Sequence, residues 1–181
     1  DFLKQEPLFV KLPLICIPTT AGTGSEATRF AVIYKDYEKM SLVHDSIFPN
    51  VAILDPLFLP GLPEHVRKSA LLDAFCQAIE GYWAVNANEH SRKYSERALT
   101  LFLNIENFYS DEYRFADPYM MKVAYLAGQS INISMTTAPH AMSYKLTTLK
   151  GIAHGHAVSI TLPHVYEYML ENASQNSELL K

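Results

Sequence analysis

The hydrophobic pattern of the chain changes near Pro63. Before that point, short apolar runs end at prolines or small polar residues, as buried strands do. The pattern predicts strands over residues 14–17, 29–35, 39–44 and 50–56. The first third of the chain is therefore predicted to be rich in strands.

After Pro63, apolar residues recur every three or four positions, which is the period of a helix buried on one face. Helices are predicted over residues 63–85, 88–109, 117–134, 138–149 and 155–172. Asn88 and Asp117 are candidate N-caps, and Pro163 is a candidate kink inside the last helix. The chain is thus predicted to be mainly α, with a few strands leading into a run of helices.

Composition and charge narrow the class of protein. The chain has 181 residues, of which 49% are hydrophobic and 19% charged, as in ordinary globular proteins. Its net charge of −4 disfavours nucleic acid as a partner, because phosphate binding needs a basic face. No apolar run reaches the roughly 20 residues that span a bilayer, and no signal peptide is visible. We therefore expect neither a nucleic-acid nor a membrane partner.

The cysteines indicate the cellular compartment of the protein, and the two ends of the sequence indicate whether it is part of a longer chain. Cys16 and Cys76 each lie in an apolar run, which favours free thiols in a reducing cytoplasm over a disulfide scaffold. The chain starts without an initiator Met and stops without a helix-terminating signal. We expect it to be a piece of a longer, cytoplasmic protein.

The stretch "IPTTAGTGSEAT", residues 17–28, is unusually rich in hydroxyl side chains and glycines; we call it the Thr/Gly loop. Such a composition suits a ligand with many acceptor oxygens, approached closely by backbone N–H groups. The loop lacks the lysine of a P-loop and the third glycine of the dinucleotide fingerprint. A polar turn between two strands explains it equally well.

Several polar residues interrupt apolar helical stretches. Asp73 and Gln77 are one turn apart and share a helix face, so the pair is either a buried hydrogen-bonded couple, an exposed edge or part of a site. His140, His154 and His156 are further candidates, because a carboxylate and two imidazoles form a familiar donor set for Zn²⁺ or Fe²⁺. Each histidine alone fits a capping or core role better than a ligand role, and only the fold can bring these distant positions together.

Four sequence blocks are more specific together, in their order along the chain, than any one of them alone. They are "PTTAGTGSEAT", "AILDP", "LLDAFCQAIEGY", and "HAMSY" followed by "IAHGHAV". In these blocks the chain resembles the iron-containing (group III) alcohol dehydrogenase family, from about residue 13 to about residue 164. The resemblance implies an α/β NAD(P)-binding domain followed by a helical, dehydroquinate synthase-like metal-binding domain. Residues 1–60 would be the last strands of the first domain, and residues 61–181 most of the second, incomplete at its C-terminus.

The resemblance also implies a metal site. Asp73, His140 and His154 match metal-ligating positions of the family. Gln77 stands where the family usually has a third histidine ligand, and its amide oxygen is a weaker donor than imidazole. The expected cofactors are a divalent metal, Fe²⁺ or Zn²⁺, and NAD or NADP.

Catalytic and cofactor-binding residues are implied in the same way. Tyr144 replaces a family histidine near the substrate and nicotinamide, and Tyr144 or His156 is a candidate to supply a proton. The cofactor-binding positions implied by the resemblance are Thr19, Thr20, Thr23, Ser25 and Lys39.

The implied activity is metal-dependent, NAD(P)-linked reduction of an aldehyde to an alcohol by a cytoplasmic homodimer. Gln77 combined with residues 140–158 resembles most the branch that reduces phosphonoacetaldehyde to 2-hydroxyethylphosphonate. The alternatives are a polyol dehydrogenase of the glycerol or 1,2-propanediol type, a dehydroquinate synthase-type lyase, or an inert fragment that binds no metal.

Overall fold

Five helices make up most of the structure, a computed structural model that describes residues 12–35, 38–105 and 117–172. They are α1 (Glu64–Trp83), α2 (Glu89–Leu103), α3 (Asp117–Ser134), α4 (Ala138–Lys150) and α5 (His154–Asn172). The prediction of a mainly helical chain is confirmed. Within the described ranges, every helix is too short or too polar to cross a membrane.

Local signals in the sequence set the ends of α2. Asn88 caps it as predicted, because its Oδ1 accepts from the Ser91 N–H at 3.0 Å while Ser91 Oγ accepts from the Asn88 N–H at 2.9 Å. The helix ends at Leu103, earlier than predicted, since the following Asn104 has left the helical backbone conformation. Residues 106–109 of that prediction lie outside the described chain.

The other helices start within about one residue of their predicted positions. Pro63 is extended and directly precedes α1, which begins at Glu64. Asp117 is the first residue of α3 instead of the residue before it, and α5 begins at His154. Pro163 lies inside α5.

The strands form two small pairs. β1 (Ile15–Cys16) runs parallel to β4 (Val51–Ala52), and β2 (Phe30–Lys35) is antiparallel to β3 (Glu38–Val43). The predicted strands at 14–17 and 50–56 are both too long. Pro18 has no N–H to extend the ladder. After β4 the chain enters a 3-10 turn, where Asp55 Oδ1 accepts from the Leu57 N–H at 3.0 Å.

Helix α1 lies at the centre, in contact with α2, α3 and α5, and α5 also packs on α4. The main core fills the space between α1, α2 and α3 and includes Leu71, Ala74, Ala78, Ala98, Val123 and Ala127. A smaller cluster of Cys76, Val158 and Leu162 joins α1 to α5. The apolar faces predicted from the helical spacing therefore meet one another, and α1 is buried on several sides.

Two close backbone approaches position the polar residues discussed below. Gly155 in the first turn of α5 lies against the backbone carbonyl of Ser69 in α1, and a Cβ at this position would overlap it. Gly24 in the Thr/Gly loop has a φ of 59° and packs its backbone against Gly128 of α3. Only glycine allows both approaches, which hold α5 on α1 and the loop on α3.

Candidate metal centre

Three helices bring one carboxylate and two imidazoles together. Asp73 lies in the middle of α1, His140 in the first turn of α4, and His154 at the start of α5. One ligand atom from each lies within 4.8 Å of the others. Asp73 Oδ1 is 3.1 Å from His140 Nε2 and 3.6 Å from His154 Nε2. Asp73 and His140 are buried, whereas His154 is 38% exposed.

Gln77 completes the polar surface of α1 at this point. Its Nε2 donates to Asp73 Oδ2 over 3.3 Å, so the two residues are the hydrogen-bonded couple that the sequence suggested. Its Oε1 is buried without a hydrogen-bond partner in the described part of the chain. A buried carbonyl left in this way is costly, unless a ligand or an ion satisfies it.

The second nitrogen of His140 is held by a residue that the sequence reasoning missed. His140 Nδ1 makes a hydrogen bond with Oε2 of Glu80, whose side chain is fully buried. Burial lowers the pKa of His140, but its hydrogen bonds to Asp73 and Glu80 outweigh that effect and raise the pKa to about 9. A signal was present, because Asp73, Gln77 and Glu80 follow at steps of four and three and so share one helix face.

His154 is oriented by its neighbours on α4. Its ring stacks on that of Tyr144, with centroids 6.3 Å apart, and meets the ring of His140 edge-on at 5.4 Å. Ser143 Oγ, which donates to the His140 carbonyl at 2.7 Å, lies 3.5 Å from His154 Nδ1. These contacts direct the Nε2 atoms of both histidines toward Asp73.

The residues of the cluster line a cavity of about 560 Å³. Thr23 and Ser25 of the Thr/Gly loop line it, with their hydroxyl oxygens 2.9 Å apart. The apolar part of its wall includes Phe30, Val32 and Val43 of the β2–β3 pair, Ile131 of α3 and Met135 just after α3. Tyr144 and Thr147 of α4 also line it. The Thr/Gly loop therefore shares a cavity with the carboxylate–imidazole cluster.

The remaining candidate residues are placed differently. Among the described residues, Thr19, Thr20 and His156 are not part of the cavity lining. His156 is two positions beyond His154 on α5, and this spacing turns its side chain to another side of the helix. Lys39 lies on β3 opposite Tyr34, and its side chain is outside the described part. The roles suggested for these four residues remain predictions.

The sequence matches two models of known protein families. Residues 1–56 match the family model of iron-containing alcohol dehydrogenases, and residues 69–180 match the model of the C-terminal part of the Fe-containing alcohol dehydrogenase family. The chain belongs to the iron-containing alcohol dehydrogenase family, and the resemblance seen in the sequence is confirmed.

Individual relatives agree with this assignment. The chain is 35% identical over 159 residues to phosphonoacetaldehyde reductase of Streptomyces viridochromogenes, covering 86% of this chain and 40% of that protein. The structure of sulfoacetaldehyde reductase from Bifidobacterium kashiwanohense in complex with NAD⁺ matches with a TM-score of 0.83 and 31% identity, covering 93% of this chain and 46% of that one. A 1,3-propanediol oxidoreductase matches with a TM-score of 0.85 and 30% identity, covering 96% and 47%. The chain thus spans less than half the length of these relatives.

Proposed function

We propose that the chain is part of a metal-dependent, NAD(P)-linked alcohol dehydrogenase that reduces a small aldehyde to its alcohol. The observation that carries this proposal is the convergence of Asp73, His140 and His154 within 4.8 Å in the lining of a cavity. Family membership supports the same reaction class.

The residues present fit a divalent cation. A carboxylate and two imidazoles from Asp73, His140 and His154 form a donor set that suits Fe²⁺ or Zn²⁺. The unpartnered Oε1 of Gln77 supplies a fourth donor atom beside them. When bound, the cation would act as a Lewis acid on a carbonyl oxygen and stabilise the negative charge that develops there.

Other residues that line the cavity suit a dinucleotide. The hydroxyls of Thr23 and Ser25 and the backbone of the Thr/Gly loop can donate to its oxygens, while the apolar wall excludes water from the reacting end. Hydride transfer is the chemistry of the cofactor itself.

We further propose that residues 1–60 belong to the cofactor domain and residues 61–181 to the metal domain. Exposed Ile15 and Val51 on the β1–β4 pair support a larger sheet.

Tyr144 is the first candidate to deliver the proton to the product alkoxide. It lines the cavity and stacks on His154, so its phenol lies in the same space as the carboxylate–imidazole cluster. A phenol O–H is able to donate a proton to a developing alkoxide. His156, the other candidate, would need an intervening water.

For the substrate we propose phosphonoacetaldehyde. Two of the relatives are named for two-carbon aldehydes that carry a tetrahedral acidic group, a phosphonate in one and a sulfonate in the other. Thr147 supports such a group, because its hydroxyl is buried at the cavity without a hydrogen-bond partner in the described chain. The likeness to 1,3-propanediol oxidoreductase favours a diol dehydrogenase as the second candidate.

The test uses the whole purified protein. Elemental analysis should find iron or zinc, and NADH or NADPH oxidation should be faster with phosphonoacetaldehyde than with propanal or lactaldehyde. His154→Ala should lose metal and activity, whereas His164→Ala, an exposed histidine on the same helix, should keep both. A protein that takes up no metal would contradict the proposed reaction, and better turnover of propanal would contradict the proposed substrate.

A further inference from the structure

We infer that Glu80 is a positioning residue of the metal centre: its carboxylate selects the tautomer of His140 and also caps the helix that carries this histidine. The inference rests on the metal site of the proposed function. It concerns a residue that lies two helical turns beyond Asp73 on α1 and does not line the cavity.

The two oxygens of Glu80 serve two different groups. Oε2 bonds His140 Nδ1, on the side of the ring away from Asp73. Oε1 accepts from the Thr137 N–H at 2.9 Å, from the Thr137 hydroxyl at 2.8 Å and from the His140 N–H at 3.4 Å. The side chain is fully buried, so water does not compete for these bonds.

The bond to Nδ1 decides which nitrogen of His140 can bind a cation. A neutral imidazole has one N–H and one lone pair, and the partner of one nitrogen determines the state of the other. A carboxylate only accepts, so it holds the proton on Nδ1. A cation that displaces the proton shared between Nε2 and Asp73 then meets the lone pair of Nε2. The carboxylate also makes the imidazole a stronger base and thus a better metal ligand.

The bonds to Oε1 replace a normal helix cap. Thr137 is the N-cap residue of α4, yet its hydroxyl donates to Glu80 and accepts from Trp83 Nε1 at 3.0 Å instead of capping its own helix. Pro139 has no N–H to offer. The carboxylate therefore satisfies the backbone N–H groups of Thr137 and His140 and complements the positive end of the helix dipole. One side chain thus fixes both the ring of His140 and the backbone that carries it.

Two variants separate the roles. In Glu80→Gln the amide oxygen can still accept from the start of α4, but the amide nitrogen donates to His140 Nδ1 and forces the proton onto Nε2. Metal affinity should then fall about 10- to 100-fold. Thr137→Val removes one bond to Oε1 and leaves the carboxylate on Nδ1, so it should lower the melting temperature while the affinity stays unchanged. Zn²⁺ affinity is measured in the whole protein by competition with a chromogenic chelator.

A measurement on the unaltered protein decides the matter even if Glu80→Gln fails to fold. In zinc-loaded protein with ¹⁵N-labelled histidines, NMR should show a proton on Nδ1 of His140 and none on Nε2. Zinc bound through Nδ1, or an affinity in Glu80→Gln equal to that of the unaltered protein, would overturn the inference and leave the proposed function standing. Failure of the unaltered protein to bind zinc, iron or cobalt would overturn both.

Discussion

Gln77 donates its amide N–H to Oδ2 of Asp73 over 3.3 Å, and its amide oxygen is buried at the same site without a hydrogen-bond partner in the described chain. The bond occupies the Asp73 oxygen that does not face the histidines. Asp73 Oδ1 is the atom that lies close to His140 and His154. Gln77 therefore orients the carboxylate and offers an oxygen of its own.

Replacing this amide should change metal affinity in both directions. We predict that Gln77→His tightens Zn²⁺ or Fe²⁺ binding by about tenfold, or about 1.4 kcal/mol, because imidazole is the stronger donor. Gln77→Leu should weaken binding, since it removes the donor and the bond to Asp73. Both are measured by chelator competition. Equal affinity in Gln77→Leu and the unaltered protein would show that the amide takes no part in binding.

The approach of α5 to α1 should be intolerant of a single methyl group. In Gly155→Ala the new Cβ would overlap the Ser69 carbonyl, so α5 must shift and His154 must move with it. We expect a loss of about 1–3 kcal/mol in unfolding free energy and weaker metal binding. Gly61→Ala is the matched control, because a Cβ there meets no atom within 4 Å, and it should change stability by less than about 0.5 kcal/mol. Similar melting temperatures for the two variants would disprove the steric argument.

Glu26 in the Thr/Gly loop should make stability depend on pH. Burial raises the pKa of its carboxyl above the ordinary value, more than the hydrogen bond to its own backbone lowers it. Between the ordinary and the raised pKa the folded state binds the extra proton, so stability falls as pH rises through that window.

The variant Glu26→Gln removes this titration. It should melt higher than the unaltered protein near neutral pH, and the difference should shrink as the pH falls below the ordinary pKa of the carboxyl. Thermal unfolding over a pH series measures this, with the exposed Glu96→Gln on α2 as the control. A difference that stays constant with pH would mean that Glu26 does not titrate in this way.

The helices could be predicted from the sequence because each carries its own signal. Periodic apolar positions fix a helix locally, and Asn88 with Ser91 marks the start of α2 in four residues. The lengths of β1 and β4 could not be predicted in the same way. The length of a strand depends on how far its partner strand pairs with it. The ladder between β1 and β4 has two residue pairs, and the paired residues are 36 positions apart in the sequence.

In the candidate site, too, local relationships could be predicted from the sequence and long-range ones could not. Spacing placed Asp73 and Gln77 on one helix face, but no local rule joins Asp73 to His140 across 67 positions. That expectation came from the family resemblance, and the structure brings the two together. The sequence did not predict a role for Glu80, because a single carboxylate in an apolar stretch is not distinctive. Its place on the face of Asp73 and Gln77 becomes clear only when that helix face is followed over two turns.

Hydroxyl residues of the Thr/Gly loop that have the same predicted role differ in whether they line the cavity. Ser25 lines the cavity, whereas Thr19 does not. We predict that Ser25→Ala weakens NAD(P)H binding by about 2- to 10-fold, the worth of one hydrogen bond, and leaves metal content unchanged. Thr19→Val should have no effect on cofactor binding. Fluorescence titration of NADH or NADPH in the whole protein measures both, and equal losses would argue that the whole loop contacts the cofactor.

Thr147 should discriminate between aldehydes. Its hydroxyl is buried at the cavity without a hydrogen-bond partner in the described chain, so a substrate oxyanion would satisfy it. A hydrogen bond to a charged group contributes about 1.5–3 kcal/mol, so Thr147→Val should lower kcat/KM for phosphonoacetaldehyde about tenfold or more and leave that for propanal unchanged.

The adjacent variant Thr148→Val is the matched control for this substitution. Thr148 is the next residue on α4, but it is exposed and is not part of the cavity lining among the described residues. Its hydroxyl donates to the Tyr144 carbonyl at 2.8 Å on the outside of the helix, so its loss should leave both rates as they are. An equal loss with both aldehydes in Thr147→Val would mean that the hydroxyl supports the fold of α4 or the reaction itself. In that case the acidic group of the substrate would have to be recognised by other residues.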